Sequence, residues 1–155
     1  MKSVGIKRKE IWLTLVSKRF FIFTILIYLL FVPALFFSYQ IKEFQAFYPL
    51  WKLARKNFLN FIFYEICILT QIFSTEFFFR NFLIFPFRKF GIISILPQSI
   101  PYFLLHLGKP FLEFLASFLA GIFFGFLSYK SKSILPSFLL HFLIALTLDT
   151  FIIFM

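Results

Sequence analysis

From Phe58 to Phe87 the chain is apolar almost without interruption, and its only charged residues there are Glu65, Glu76 and Arg80. A stretch of this length and character has no place on the surface of a soluble fold. It reads as a membrane-spanning helix. The composition extends the reading to the whole chain: 61% of the 155 residues are hydrophobic, 25% are aromatic and 30 are phenylalanine. A soluble domain is typically about half apolar. No soluble fold of this size hides so much apolar surface, so lipid is the solvent for most of it. One integral-membrane domain is the natural count.

A net charge of +10 raises the question of nucleic acid, and the placement of the charges answers it. Lys2, Lys7, Arg8, Lys9, Lys18 and Arg19 precede the first long apolar run. Lys42, Lys52, Arg55 and Lys56 fill the next polar stretch, and Arg88, Lys89, Lys109, Lys130 and Lys132 mark later breaks. Charges in such positions flank spans and meet anionic headgroups. The expected partners are therefore the lipid bilayer and a membrane-associated protein or peptide, with no nucleic acid. Cys67 stands alone and forms no internal disulfide. Residues 1–19 read as a basic cytoplasmic head, with Ile11 to Val16 an interfacial patch. Residues 20–155 read as the integral-membrane domain.

The fold expected is an all-α polytopic membrane helix bundle of about five spans: Phe20 to Phe37, Phe58 to Phe87, Ile92 to Leu107, Phe111 to Ser128 and Ile134 to Met155. Pro33 is positioned to kink the first. The third is expected to be irregular, because Pro97 and Pro101 interrupt its backbone ladder. Between the first two spans, Phe44, Phe47, Tyr48 and Trp51 recur at helical spacing, which predicts an amphipathic segment lying in the interface. Gly121 and Gly125 form a small-xxx-small pair that permits close helix contact. The distribution of lysine and arginine predicts a cytoplasmic N-terminus and a plasma (inner) membrane location. Lys130 then faces inward and Lys109 outward.

Ionisable residues in spans are rare and normally face a bundle interior. Here they are Glu65, Glu76, Arg80, His106, Glu113, His141 and Asp149. Glu76 and Arg80 stand one helical turn apart and are expected to pair. At about 1.5 Å per residue, Glu76, His106, Glu113, His141 and Asp149 fall in one central depth band, whereas Glu65 falls at the far surface. Three readings follow: a structural ion pair, an ion or proton path, and a catalytic site. No nucleophile pattern and no His-Glu-x-x-His motif is present. Two histidines and a carboxylate could bind zinc, although no ligand spacing is diagnostic and no stoichiometric zinc is expected. The alternative is water activated directly by a carboxylate and a histidine.

These residues resemble the motifs of the CPBP family of intramembrane proteases, the CAAX prenyl protease and bacteriocin-processing (Abi) group. Thr75-Glu76-Phe77-Phe78-Phe79-Arg80 is similar to the Glu-Glu-x-x-x-Arg motif, with Thr75 in place of the first glutamate. Tyr102 to His106 matches Phe-x-x-x-His. His141 opens the His-x-x-x-Asn motif, with Ala145 where asparagine is expected. The likeness covers about residues 45–155, the protease-like core. It implies an intramembrane endopeptidase in which Glu76 and His106 activate water and His141 holds the oxyanion. Arg80, Glu113 and Asp149 are read as supporting residues. The alternative it leaves is a catalytically inactive binding or immunity protein on the same scaffold.

Overall fold

A computed structural model describes residues 16–155; the basic residues up to Lys9 and most of the Ile11 to Val16 patch lie outside the described residues. The described residues form helices and connecting turns, with no strand among them. The elements are α1 (Lys18–Ser38), α2 (Lys42–Phe47), α3 (Phe58–Glu76), α4 (Leu96–Leu104), α5 (Phe111–Ser131) and α6 (Leu135–Phe154). Helix α3 continues as a widened π turn over Phe77–Phe82, so that Phe58–Phe82 is one span-length unit. With α1, α5 and α6 this makes four helices long and apolar enough to cross a membrane. The chain is an integral membrane protein with a polytopic helical architecture.

The segment predicted as the third span is the irregular one. It is a tight 3₁₀ stretch over Phe85–Ile95, broken at Gly91 (φ 71°), followed by the nine-residue α4. Pro97 sits in the first turn of α4, where its missing N–H costs little, and Pro101 lies inside the helix. Helix α1 runs on through Pro33.

Side-chain pairs give the directions. Helix α6 is antiparallel to α3, with Phe73 on Phe138 and Tyr64 bonded to Asp149. It is antiparallel to α5, with Ser128 bonded to Ser137 and Phe124 on His141. It runs with α1, where Tyr28 meets Thr147 and Phe36 meets Phe151. Helices α4 and α5 are antiparallel and in close approach. A Cβ on Gly121 would lie 2.9 Å from the Tyr102 ring, and one on Gly125 would lie 2.7 Å from Ile95 and 2.8 Å from Gln98. The small-xxx-small pair is thus the contact surface for α4.

These directions gather Lys18, Arg19, Arg88, Lys89, Lys130 and Lys132 at one end of the bundle, and Lys109 with residues 39–57 at the other. Residues 39–57 form more than an interfacial helix. Phe44 and Tyr48 are buried against Leu35 and Leu148, and Ala54 against Tyr64 and Ile68. The segment closes its end of the bundle. Within the spans, Thr24, Thr70, Ser74, Thr75 and Thr150 each donate to the carbonyl four residues back. That pairing is how hydroxyls persist in an apolar solvent.

Candidate active site

Glu76 and Arg80 are both 0% exposed. Helical periodicity alone puts them face to face: Arg80 Nε donates to Glu76 Oε2 at 2.9 Å, and the Arg80 Nη2 contact to Oε1 is 3.4 Å. The rest of the guanidinium is used as well. Its second terminal nitrogen donates to Gln98 Oε1 and, at 3.3 Å, to the backbone carbonyl of Gly121. Gln98 returns a bond to the same carbonyl at 3.0 Å and another to Ser99 at 2.8 Å. The absence of a side chain at Gly121 lets α4 approach that carbonyl. The guanidinium carbon also sits 4.7 Å from the Tyr102 ring centroid, 5.8 Å from Phe124 and 5.9 Å from Phe79. A buried arginine is held here by carboxylate, amide, carbonyl and three aromatic faces, the combination that burial of a charge requires.

His141 closes the carboxylate from α6: its Nδ1 donates to Glu76 Oε1 at 2.9 Å. The two residues are 65 apart in sequence. His106, in the turn after α4, has its Nδ1 on the Tyr102 carbonyl at 2.9 Å. Carboxylates and carbonyls only accept, so both imidazoles must carry a proton on Nδ1. In the neutral rings, Nε2 then holds the lone pair available to water or a ligand. His141 remains 17% exposed on its side chain and His106 8% exposed as a residue. Both rings pack on Tyr102, with centroids 4.9 Å away for His106 and 6.2 Å for His141.

The predicted site residues therefore fall into two groups. Glu76, Arg80 and His141 form one hydrogen-bonded cluster, and His106 lies across the Tyr102 ring from it. Glu113 and Asp149, expected in the same depth band, are hydrogen-bonded to other partners. Glu113 is in the first turn of α5, where it accepts Tyr48 Oη on both oxygens, at 2.7 and 2.6 Å, and pairs with Lys109 at 2.8 Å. Burial and the adjoining Glu113 carboxylate push the Tyr48 hydroxyl well above its ordinary range. Asp149 accepts Tyr64 Oη at 3.2 Å, and the Tyr64 oxygen in turn accepts the Leu50 N–H at 3.3 Å. Both carboxylates thus anchor the closing segment. Glu65, assigned to the far surface by depth, is buried at 7% exposure.

Two partners in the cluster carried no sequence signal that singled them out. Gln98 is one amide in a proline-broken stretch, and the Gly121 carbonyl has no side chain to read. No three His, Cys, Asp or Glu side chains converge as a metal site among the described residues. The Glu76 carboxylate is already taken by Arg80 and the His141 N–H. Thr75 turns its hydroxyl to the Gln71 carbonyl at 2.9 Å. Ala145 packs with the apolar cluster of Tyr64, Ile68 and Ile72.

Comparison with known proteins gives one finding. The sequence model of the family described as Rce1-like, type II CAAX prenyl endopeptidase Rce1-like, matches residues 56–147, more than half of the chain. No curated protein and no solved structure matches. The matched range contains Glu76, Arg80, Gln98, Tyr102, His106 and His141.

Proposed function

This chain belongs to the Rce1-like family of type II CAAX prenyl endopeptidases, and we propose from that premise that it is an endopeptidase hydrolysing a membrane-associated protein or peptide within the bilayer. The observation that carries the proposal is the Glu76–His141 hydrogen bond, 2.9 Å long, inside a polar core with no exposure at Glu76. The Glu76–Arg80 ion pair beneath it is costly to bury in an apolar bundle. The family match supplies the use for it.

The roles follow from which lone pairs are already engaged. Both Glu76 oxygens are committed, to Arg80 and to His141. That supports Glu76 as a positioning residue acting through His141. His106 Nε2 is the base that takes a proton from water as the water oxygen bonds to the scissile carbonyl carbon. His141, as imidazolium balanced by Glu76, presents Nε2–H to the developing oxyanion. His106 then gives its proton to the leaving amine as the C–N bond breaks. Each imidazole needs a second group to hold its tautomer, the logic common to histidine-based hydrolysis. The N-terminus lies in the cytoplasm on this reading, and the chain resides in the plasma (inner) membrane.

A second reading rests on Thr75 and Ala145, which stand where the resemblance expects a glutamate and an asparagine. It makes the chain a non-catalytic relative that binds a membrane protein. One experiment separates the two. Purified protein in proteoliposomes is incubated with a library of membrane-anchored reporter peptides, beside its His106→Ala, His141→Ala and Glu76→Gln variants. The protease reading expects cleavage by the wild type and loss in each variant with the protein still folded. Cleavage unchanged in His106→Ala would remove the base. No cleavage by the wild type, together with cleavage by Thr75→Glu/Ala145→Asn, would establish the non-catalytic reading.

A further inference from the structure

Gln98 is fully buried on α4, and the groups around it leave its amide one orientation. Its Nε2 faces two backbone carbonyls, that of Ile95 at 2.9 Å and that of Gly121 at 3.0 Å, together with Ser99 Oγ at 2.8 Å. A flipped amide would set its own oxygen against both carbonyls, and carbonyls only accept. Oε1 therefore turns to Arg80 and accepts from Nη1. The same Nη1 reaches the Gly121 carbonyl at 3.3 Å. One terminal nitrogen of the guanidinium is thus held by α4 and α5 together. The edge left for Glu76 is the one formed by Nε and Nη2.

That edge meets the carboxylate unevenly. Nε lies 2.9 Å from Oε2, whereas Nη2 lies 3.4 Å from Oε1. Oε1 is the oxygen that His141 Nδ1 reaches at 2.9 Å. An arginine free to turn would present both terminal nitrogens to a carboxylate as a fork and engage both oxygens closely. It would then compete with His141 for Oε1. We propose that Gln98 is a positioning residue for His141: by holding Nη1 it fixes which edge of Arg80 faces Glu76, and so keeps Oε1 for the imidazole. The role rests on the reading of His141 as the donor to the oxyanion. Gln98 touches no reacting atom and acts through Arg80 and Glu76. Helix α4 then supplies the site twice, with His106 in the turn that follows it and with a restraint that extends across α3 to His141 on α6. The restraint forms only where α4 lies close on α5, since the Gly121 carbonyl orients both Gln98 and Arg80.

The test reads His141 directly. The whole protein, labelled with nitrogen-15 histidine, is purified in a neutral detergent, and the Nδ1–H signal of His141 is assigned by its absence in His141→Ala. Gln98→Met keeps the side-chain length and removes both amide groups. It is expected to abolish the slowly exchanging Nδ1–H signal in a protein that still folds. Phe103→Ala serves as the control. It loosens the same helix pair through a different side chain, whose ring stacks on Phe114 at 4.2 Å, and it is expected to leave the signal in place. With a responsive peptide, Gln98→Met is expected to lower kcat by about tenfold to a hundredfold with KM little changed, the scale for outer partners that orient a site. A retained signal in folded Gln98→Met would overturn the proposal and leave the protease reading standing. Equal loss of the signal in Phe103→Ala would overturn it too, because loosened packing would then suffice. If Gln98→Met does not fold, Ser99→Ala removes only one partner of Nε2 and is expected to shift the same signal by a smaller amount; no shift there would overturn the proposal. A wild type that cleaves nothing would remove the protease reading, and the His141 signal would still decide whether Gln98 holds the imidazole's partner.

Discussion

Helices α3 and α6 meet at two acidic positions, and the two are treated oppositely. At Glu76 the carboxylate is enclosed by Arg80, His141 and, through the guanidinium, Gln98 and Gly121. At Glu65, eleven residues earlier on the same helix, the carboxyl is buried with neither oxygen bonded. Eleven residues is close to three full turns, so both side chains leave α3 on nearly the same face. Their difference comes from the elements around α3. Near Glu76 the glycines of α5 admit α4 and bring Gln98 and a bare carbonyl to the arginine. Near Glu65 the neighbour is Asp149, a second acid. Sharing a helix face does not give two carboxylates one environment.

The sharpest way to break this comparison is Arg80→Met. It keeps the side-chain length and removes the charge, leaving Glu76 buried without its cation. A loss of roughly 3–5 kcal/mol is expected, as for other broken buried pairs, measured by thermal or denaturant unfolding in detergent. A loss no larger than that of a surface substitution would mean Glu76 is as weakly compensated as Glu65.

The next effect is on chemistry. His141→Ala and His106→Ala are each expected to lower cleavage of a responsive peptide by about 10²–10³ or more, the scale of losing a positioned donor or base. His141→Ala also removes a bond to buried Glu76, so its Tm is expected to fall further than that of His106→Ala. Equal Tm values would mean that the Glu76–His141 bond adds nothing to folding.

Gly125→Ala tests whether the close approach of α4 produces the difference. Its new methyl would meet Ile95 at 2.7 Å and Gln98 at 2.8 Å. Overpacking of this kind typically costs 1–3 kcal/mol. The expected outcome is a moderate fall in Tm together with reduced cleavage, because Gln98 is displaced from Arg80. A fall in Tm with cleavage intact would separate Gln98 from the site.

Glu65→Gln is the smallest change. The substitution removes an acid that has no hydrogen-bond partner, so stability is expected to change by less than about 1 kcal/mol. Most of any cleavage activity should remain. Loss of cleavage in Glu65→Gln, with Glu76→Gln silent, would move the supporting carboxylate from Glu76 to Glu65 and reverse the comparison.

Much of the architecture was legible in the residues. Apolar runs marked the four long helices, and the basic breaks between them marked their ends. The doublet Pro97 and Pro101 predicted an irregular third crossing, and the segment is a broken 3₁₀ stretch with a short helix. The spacing of Glu76 and Arg80 gave their pairing without further information. Depth counting was less informative. It grouped Glu113 and Asp149 with the histidines, but distance along a helix axis says nothing about which neighbour a side chain faces. Tyr48 and Tyr64, from the closing segment and from α3, hydrogen-bond those two carboxylates.

What the sequence by itself determined is therefore local and compositional. Lipid is the solvent because too little of the chain is polar. Glu76 faces Arg80 because helical rise and twist leave no other choice for residues four apart. Only the tertiary structure decided that His141 closes the Glu76 carboxylate and that His106 stands across Tyr102. It alone decided that a glycine carbonyl completes the arginine's shell, and that Glu65 is buried beside Asp149. Those outcomes depend on the register in which separate helices pack. Between α4 and α5 that register is set by close contacts at Gly121 and Gly125, where a missing Cβ lets one helix settle on another. Contacts between residues distant in the chain do not follow from the spacing of residues within a helix.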